Sequence, residues 1–126
     1  MREILHRGRR IDTKEWVYGW YFQYQDKHFI LPLEAKDSKH FYLWDYAVEV
    51  IPETVGRYTG LKDKNGVKIF EGDIVECSRL DESARVVWHD RCLTGWLMSY
   101  GDNRLFMSQD YVYKIIGNIH DKGGDT

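Results

Sequence analysis

The stretch at residues 60–75, G-L-K-D-K-N-G-V-K-I-F-E-G-D-I-V, decides the fold prediction for this chain. Within it, Asn65-Gly66 predicts a tight hairpin turn, because both residue types tolerate the positive φ that such turns require. A second turn signal, Glu71-Gly72-Asp73, precedes a new apolar run. The stretch therefore predicts successive antiparallel strands, and it contains no chemical group poised for catalysis.

Upstream of this stretch, large rings alternate with other residues, and they are Trp16, Tyr18, Trp20 and Phe22. A period of two places these rings on one face of a strand. Residues 28–31 are predicted to be its hairpin partner, which ends at Pro32. We expect a charged loop over residues 34–40, while residues 41–50 are ambiguous between strand and irregular structure.

Downstream, short strands with turn residues between them are predicted at 73–78, 84–89, 94–100, 104–107 and 111–119. Close, regular spacing of this kind indicates a small all-β barrel or roll. We expect a single domain over residues 1–126, with an N-terminal β subdomain at 1–53 as one subdivision of it. The barrel would then cover 54–120, and 121–126 would form a flexible tail.

The 126 residues are 43% hydrophobic and 30% charged, which is typical of a folded globular domain. The formal net charge is -2, so the whole molecule lacks the positive field of a general duplex-DNA binder. The N-terminus has no apolar leader, and no segment reaches the length of a membrane span. The sequence predicts a cytoplasmic protein that does not contact membranes.

Metal-ligand and nucleophile types never occur at a productive spacing in this sequence. Cys77 and Cys92 form no CxxC pair, and the five histidines are scattered. The run Trp88-His89-Asp90 followed by Cys92 is better explained as a hairpin end than as a triad, since neighbours on a strand alternate in direction. We therefore expect a non-enzyme with no catalytic residue, no metal and no cofactor.

Several motifs together resemble the YopX family of phage and prophage proteins. They are Met1-Arg2-Glu3-Ile4, Arg7-Gly8-Arg9-Arg10, Glu15-Trp16-Val17-Tyr18-Gly19, residues 59–66, residues 69–75 and Ile116-Gly117-Asn118-Ile119. The resemblance implies an all-β fold with a barrel related to SH3-type barrels and an origin in a temperate phage or prophage. It implies no established activity, so no catalytic residue can be transferred from the family.

The positions that match the family form its signature in this chain. They are Thr59, Gly60, Leu61, Asp63, Gly66, Ile69, Phe70, Glu71, Gly72, Asp73, Ile74, Val75, Ile116, Gly117 and Asn118. Turn geometry and strand packing could explain the glycines and the apolar members. Glu71 and Asp73 could be an acid and base, but flanking a turn glycine they are better explained as caps of backbone N–H groups or partners of Arg or Lys.

A local positive excess near the N-terminus suggests single-stranded nucleic acid as a ligand. Five cations, Arg2, Arg7, Arg9, Arg10 and Lys14, precede the aromatic strand directly. Phosphates meet arginines and bases stack on rings in such sites. In the alternative interpretation, which we favour, the rings face the core and the arginines pair with acids on a solvated edge.

The sequence thus predicts a non-enzymatic accessory protein that acts by binding another macromolecule. The first hypothesis is a protein-interaction module with an unknown host or phage protein as partner, or with a second copy of itself in a homo-oligomer. The aromatic content exceeds what a core of this size needs. The second hypothesis is a single-stranded nucleic-acid-binding factor that uses the basic N-terminus.

Overall fold

The computed structural model describes residues 5–33, 46–89 and 95–120. These residues form mostly β-strands in two antiparallel sheets, which confirms the predicted all-β class. The chain divides into two compact units, Met1–Tyr58 and Thr59–Thr126. This division lies inside a strand, a little after the subdomain limit expected at residue 53.

In the first unit, four strands follow one another, and a short 3-10 turn at Pro52–Thr54 leads into a fifth. The strands are β1 (His6–Arg9), β2 (Trp16–Tyr24), β3 (Lys27–Pro32), β4 (Val48–Glu49) and the start of β5 (Gly56–Lys62). The strand order is β4-β3-β2-β1-β5. Leu5, Ile30, Val50 and Tyr58 are buried in this unit.

Strand β1 was not predicted, because its residues, His-Arg-Gly-Arg, show no apolar alternation. It forms because it is paired on both sides, with β2 through Arg9 and Trp16 and with β5 through His6 and Arg57. Gly8 lets β1 approach the core closely, since a Cβ there would lie 3.1 Å from the Cβ of Val50. Tertiary pairing thus overrides local propensity in this strand.

The second unit holds the end of β5, the hairpin strand β6 (Lys68–Phe70) and a five-stranded sheet of order β10-β9-β8-β7-β11. The sheet strands are β7 (Asp73–Cys77), β8 (Ala84–His89), β9 (Gly95–Tyr100), β10 (Asn103–Phe106) and β11 (Tyr113–Asn118). The buried core of the second unit comprises Ile69, Val75, Cys77, Ala84, Val86, Met98 and Tyr113. Among the described strands this sheet is open, with β10 and β11 at its edges.

The predicted turns lie at the positions expected from the sequence. Gly66 has φ of +82° in the loop between β5 and β6, and Gly101 has φ of +56° between β9 and β10. The predicted hairpin of the aromatic strand with residues 28–31 is confirmed by the register of β2 and β3. The predicted loop at 34–40, the tail at 121–126 and residues 41–45 lie outside the described residues.

Candidate functional site

Strand β2 carries five rings on one side of its sheet, which we call the aromatic face: Trp16, Tyr18, Trp20, Phe22 and Tyr24. Register places Phe29 of β3 opposite Phe22, and the two rings stack with centroids 5.3 Å apart. Three rings of this face are well exposed, with Tyr18 at 40%, Trp20 at 38% and Tyr24 at 54%. The interpretation in which this strand buries its rings in the core is therefore wrong for these three.

Two of the predicted nucleic-acid contacts, Arg7 and Arg9, lie beside the aromatic face. Register aligns Arg9 of β1 with Trp16, and Arg7 with Tyr18. The guanidinium carbons of Arg7 and Arg9 lie 4.1 and 4.7 Å from the centroid of the Trp16 ring, within cation–π range. Arg7 is only 6% exposed, so its side chain is buried beside the Trp16 ring and does not extend into solvent.

Arg10 and Lys14, two of the other predicted contacts, do not join this pair. Arg10 donates two hydrogen bonds to the Asp12 carboxylate, at 2.9 and 3.0 Å. Hydrogen bonding from Arg10 lowers the pKa of Asp12 to about 2. Lys14 donates from Nζ to the Ile11 carbonyl at 2.8 Å, and Arg2 lies outside the described residues. The four described cations are thus divided between a ring contact, an ion pair and a turn.

The opposite face of the same sheet carries a small polar cluster. The Tyr21 hydroxyl and His28 Nδ1 are 2.5 Å apart, and the His6 ring lies 5.4 Å from the Tyr21 ring. Burial, followed by the nearby charge of Arg57, lowers the pKa of His6. His6 is therefore neutral at neutral pH and adds no positive charge to this unit.

In the second unit, the signature residues Thr59 and Asp63 hold backbone groups of neighbouring segments. Thr59 Oγ1 donates to the Ile69 carbonyl at 2.8 Å and accepts from the Leu61 amide at 3.1 Å. Buried Asp63 accepts from the amides of Asn65 and Val67 through Oδ1 and from the Ile115 amide through Oδ2. One carboxylate thus joins the β5–β6 turn to β11.

In the second signature turn, Glu71-Gly72-Asp73, an aspartate again accepts a hydrogen bond from a backbone amide. Asp73, also buried, accepts a 2.8 Å hydrogen bond from the Phe70 amide, which is one of the two structural roles expected for it from the sequence. Gly72 has φ of +93° and bonds to the Val86 carbonyl through its amide. These contacts give Thr59, Asp63, Gly72 and Asp73 structural roles in turns.

The remaining signature positions belong to strands or to the end of β11. Ile69, Phe70 and Val75 are buried, whereas Glu71 and Ile74 are half-buried and Gly60 is exposed. A register shift between Ile115 and Gly117 leaves Ile116 exposed. Asn118 Oδ1 accepts from the His120 amide at 2.8 Å.

Within the described part of the chain, no three His, Cys, Asp or Glu side chains are close enough to hold a metal ion. Cys77 is a free, buried thiol. Asp90 and Cys92, which follow Trp88-His89 in the run interpreted as a hairpin end, lie outside the described residues. No helix among the described residues is long and apolar enough to cross a membrane.

Comparison with known families identifies the chain. Residues 5–124 match the family described as YopX protein. The chain belongs to the YopX family. This confirms the resemblance inferred from the sequence motifs, and the match extends through both compact units. A comparison with curated proteins found no significant match.

The sequence interpretation missed one part of this YopX-family site, the extension of the aromatic face to Tyr24 and Phe29. The signal was present, because the period-two pattern continues past Phe22 to Tyr24. The predicted strand stopped too early, since Gln23 and Gln25 resemble turn residues more than strand residues. The register of β2 and β3 brings Phe29 to the same face.

Proposed function

We propose that this YopX-family protein is a non-enzymatic binding module that docks another protein on its aromatic face. The observation that carries the proposal is the exposure of Tyr18, Trp20 and Tyr24 on one side of β2. Tyr and Trp supply large contact areas with little loss of side-chain entropy, and they are enriched at the centres of protein interfaces. A cluster of such rings on one face favours binding over a purely structural role.

The placement of the neighbouring cations favours a protein partner over a phosphate backbone. Arg7 and Arg9 pack on Trp16, and Arg10 is bound to Asp12. Phosphate recognition requires cations that can reach outward and exchange counterions. The contact surface therefore consists mainly of rings, which suits apolar and aromatic side chains of a partner.

Single-stranded nucleic acid is the second candidate. It is favoured by the spacing of Tyr18, Trp20 and Tyr24 at alternate positions on one strand, with Lys27 directly opposite Tyr24. Successive bases can stack on such rings without sequence preference. In this alternative, Lys27 and the arginine-backed Trp16 would supply the positive charge.

Affinity capture from prophage-bearing cells, performed with and without nuclease, tests the two candidates. The bait is compared with a Tyr18→Ser/Trp20→Ser variant and with a Val67→Ser/Val112→Ser control, which removes two exposed apolar residues elsewhere. We expect the wild type and the control to retain a partner protein that the Tyr18→Ser/Trp20→Ser variant does not retain. Nuclease treatment should not change this retention. Retention by the ring variant would contradict the proposal.

Fluorescence anisotropy with labelled single-stranded DNA and RNA across a salt series tests the second candidate. Binding that weakens with salt and with Tyr18→Ser/Trp20→Ser would favour nucleic acid. An Arg7→Ser/Arg9→Ser/Arg10→Ser variant would flatten the log–log salt slope by roughly 0.7 for each phosphate that is no longer bound. Absence of binding at low salt leaves the protein partner as the function to pursue.

Further properties expected from the sequence remain part of this proposal. We infer an origin in a temperate phage or prophage, a relation of the second unit to SH3-type barrels and a location in the host-cell cytoplasm. The family membership supports the first two, and the free Cys77 thiol suits the reducing compartment of the third. We also propose that the protein forms a homo-oligomer through the terminal strand β10.

A further inference from the structure

A hollow of about 440 Å³ opens in the second unit. Its polar side chains come from the start of β8 and the ends of β9 and β11, and its apolar wall comes from β7 and the residue after β11. Its lining includes Ser83, Arg85, Ser99, Asn118, Ile74 and Ile119. A hollow of this size is in the range that holds a small organic molecule.

The register of the sheet concentrates positive charge at this hollow. Arg85 of β8 and Arg104 of β10 are both direct cross-strand neighbours of Ser99 on β9. Directly opposed residues have Cβ atoms about 4.5–5.5 Å apart and project from the same face. Ser99 therefore lies between two arginine positions on neighbouring strands, and of these two arginines Arg85 lines the hollow.

Among the described residues, no acidic side chain forms an ion pair with either arginine. Within the described part of the chain, no Asp or Glu lines the hollow. Glu76, the acid of the neighbouring strand on this face, lies opposite Lys114. Two cations flanking one hydroxyl repel each other, and an anion bound between them would relieve that repulsion.

The donor set favours phosphate over carboxylate. Arg85 offers a planar fork of N–H donors, and the Ser83 and Ser99 hydroxyls add one donor each. A carboxylate has two oxygens to satisfy, whereas a phosphate monoester has three terminal oxygens and a larger charge. Ile74 and Ile119 give the organic part of such a molecule an apolar surface.

We propose that this hollow binds a small organic phosphate monoester, with Arg85, Ser83 and Ser99 holding the phosphate and Arg104 reinforcing the charge. All residues of this site belong to the second unit, whereas β2 with the aromatic face belongs to the first. Through this site the protein would bind a small molecule in addition to its macromolecular partner.

Titration with phenyl phosphate at fixed ionic strength, followed by amide NMR and calorimetry, tests the proposal. We expect saturable shifts at Ser83, Ser99 and Gly101, with phenyl phosphate binding more tightly than benzoate or inorganic phosphate. Arg85→Gln should weaken binding by about tenfold or more, because it removes charge-assisted hydrogen bonds to the phosphate. Arg104→Gln should have a smaller effect.

Lys114→Gln is the matched control, since it removes one positive charge from the same face of the same sheet, outside the hollow. Its affinity should equal that of the wild type. Equal weakening by Lys114→Gln and Arg85→Gln would show general electrostatic attraction and overturn the site. Benzoate binding as tightly as phenyl phosphate, or no saturable binding, would overturn the phosphate assignment.

Discussion

At the scale of single residues, Asp63 shows how a signature carboxylate can be structural. Its side chain is buried and accepts hydrogen bonds from three amides, those of Asn65, Val67 and Ile115. Burial alone would raise the pKa of Asp63, but the donors Val67, Asn65 and Ile115 outweigh it and lower the pKa below the ordinary value of 3.8. The ionised form is therefore the one that stabilises the fold.

Asp63→Asn should lower the free energy of unfolding by about 1–3 kcal/mol near neutral pH, because Asn has one acceptor oxygen and turns an NH₂ group toward an amide donor. Urea unfolding monitored by tryptophan fluorescence measures this change. Asp26→Asn, in the exposed β2–β3 turn, is the control and should change stability by less than about 0.5 kcal/mol.

The stabilities of the wild type and of Asp63→Asn should also respond differently to acid. Because the folded pKa of Asp63 is depressed, its contribution is fully present above the unfolded value near 3.8 and is lost as pH falls through the folded pKa. The stability gap between wild type and Asp63→Asn should therefore narrow below about pH 4. A gap that stays constant to lower pH would contradict the ionised role.

At the scale of elements, β2 depends on a glycine for its pairing with β3. A Cβ placed on Gly19 would lie 1.9 Å from the carbonyl oxygen of Leu31, a distance that no backbone tolerates. The contact is with backbone and not with a flexible side chain, so the two strands would have to separate. Close approach at Gly19 is thus a condition for presenting Tyr18 and Trp20 in their observed positions.

Gly19→Ala should destabilise the protein by about 2–3 kcal/mol, as overpacking against a fixed backbone does. It should also reduce capture of the binding partner, since the aromatic face is disturbed. Gly117→Ala is the matched control, because a Cβ there meets nothing within 4 Å. Thermal unfolding of both variants measures the difference, and equal melting temperatures would count against the close contact.

At the scale of the whole molecule, two features favour association with further copies. The net charge of -2 provides little long-range repulsion between molecules. Strand β10 is a terminal strand, and since the Met107 amide bonds to the Trp96 carbonyl, strand alternation directs the Phe106 amide away from β9. The Phe106 ring is also exposed, so β10 is a suitable edge for pairing with another copy.

Sedimentation at tens of micromolar should show a homo-oligomer, and Phe106→Lys should shift it toward the monomer, because an edge lysine opposes strand pairing. Val67→Lys adds the same charge at another exposed apolar residue and should leave the assembly unchanged. A wild type that sediments as a strict monomer would overturn this proposal, and an oligomer unaffected by Phe106→Lys would place the interface elsewhere.

By itself, the sequence determined the strand class, the Gly66 and Gly101 turns and the family, since these depend on local φ preferences and period-two alternation. It also predicted that Asp73 caps a backbone amide or pairs with Arg or Lys, and the structure shows the cap. Only the tertiary structure decided that β1 exists, that Arg7 and Arg9 pack on Trp16, and that Arg85 and Arg104 flank Ser99. Each of these depends on strand register, which joins residues far apart in sequence and is set by pairing partners and not by local preference.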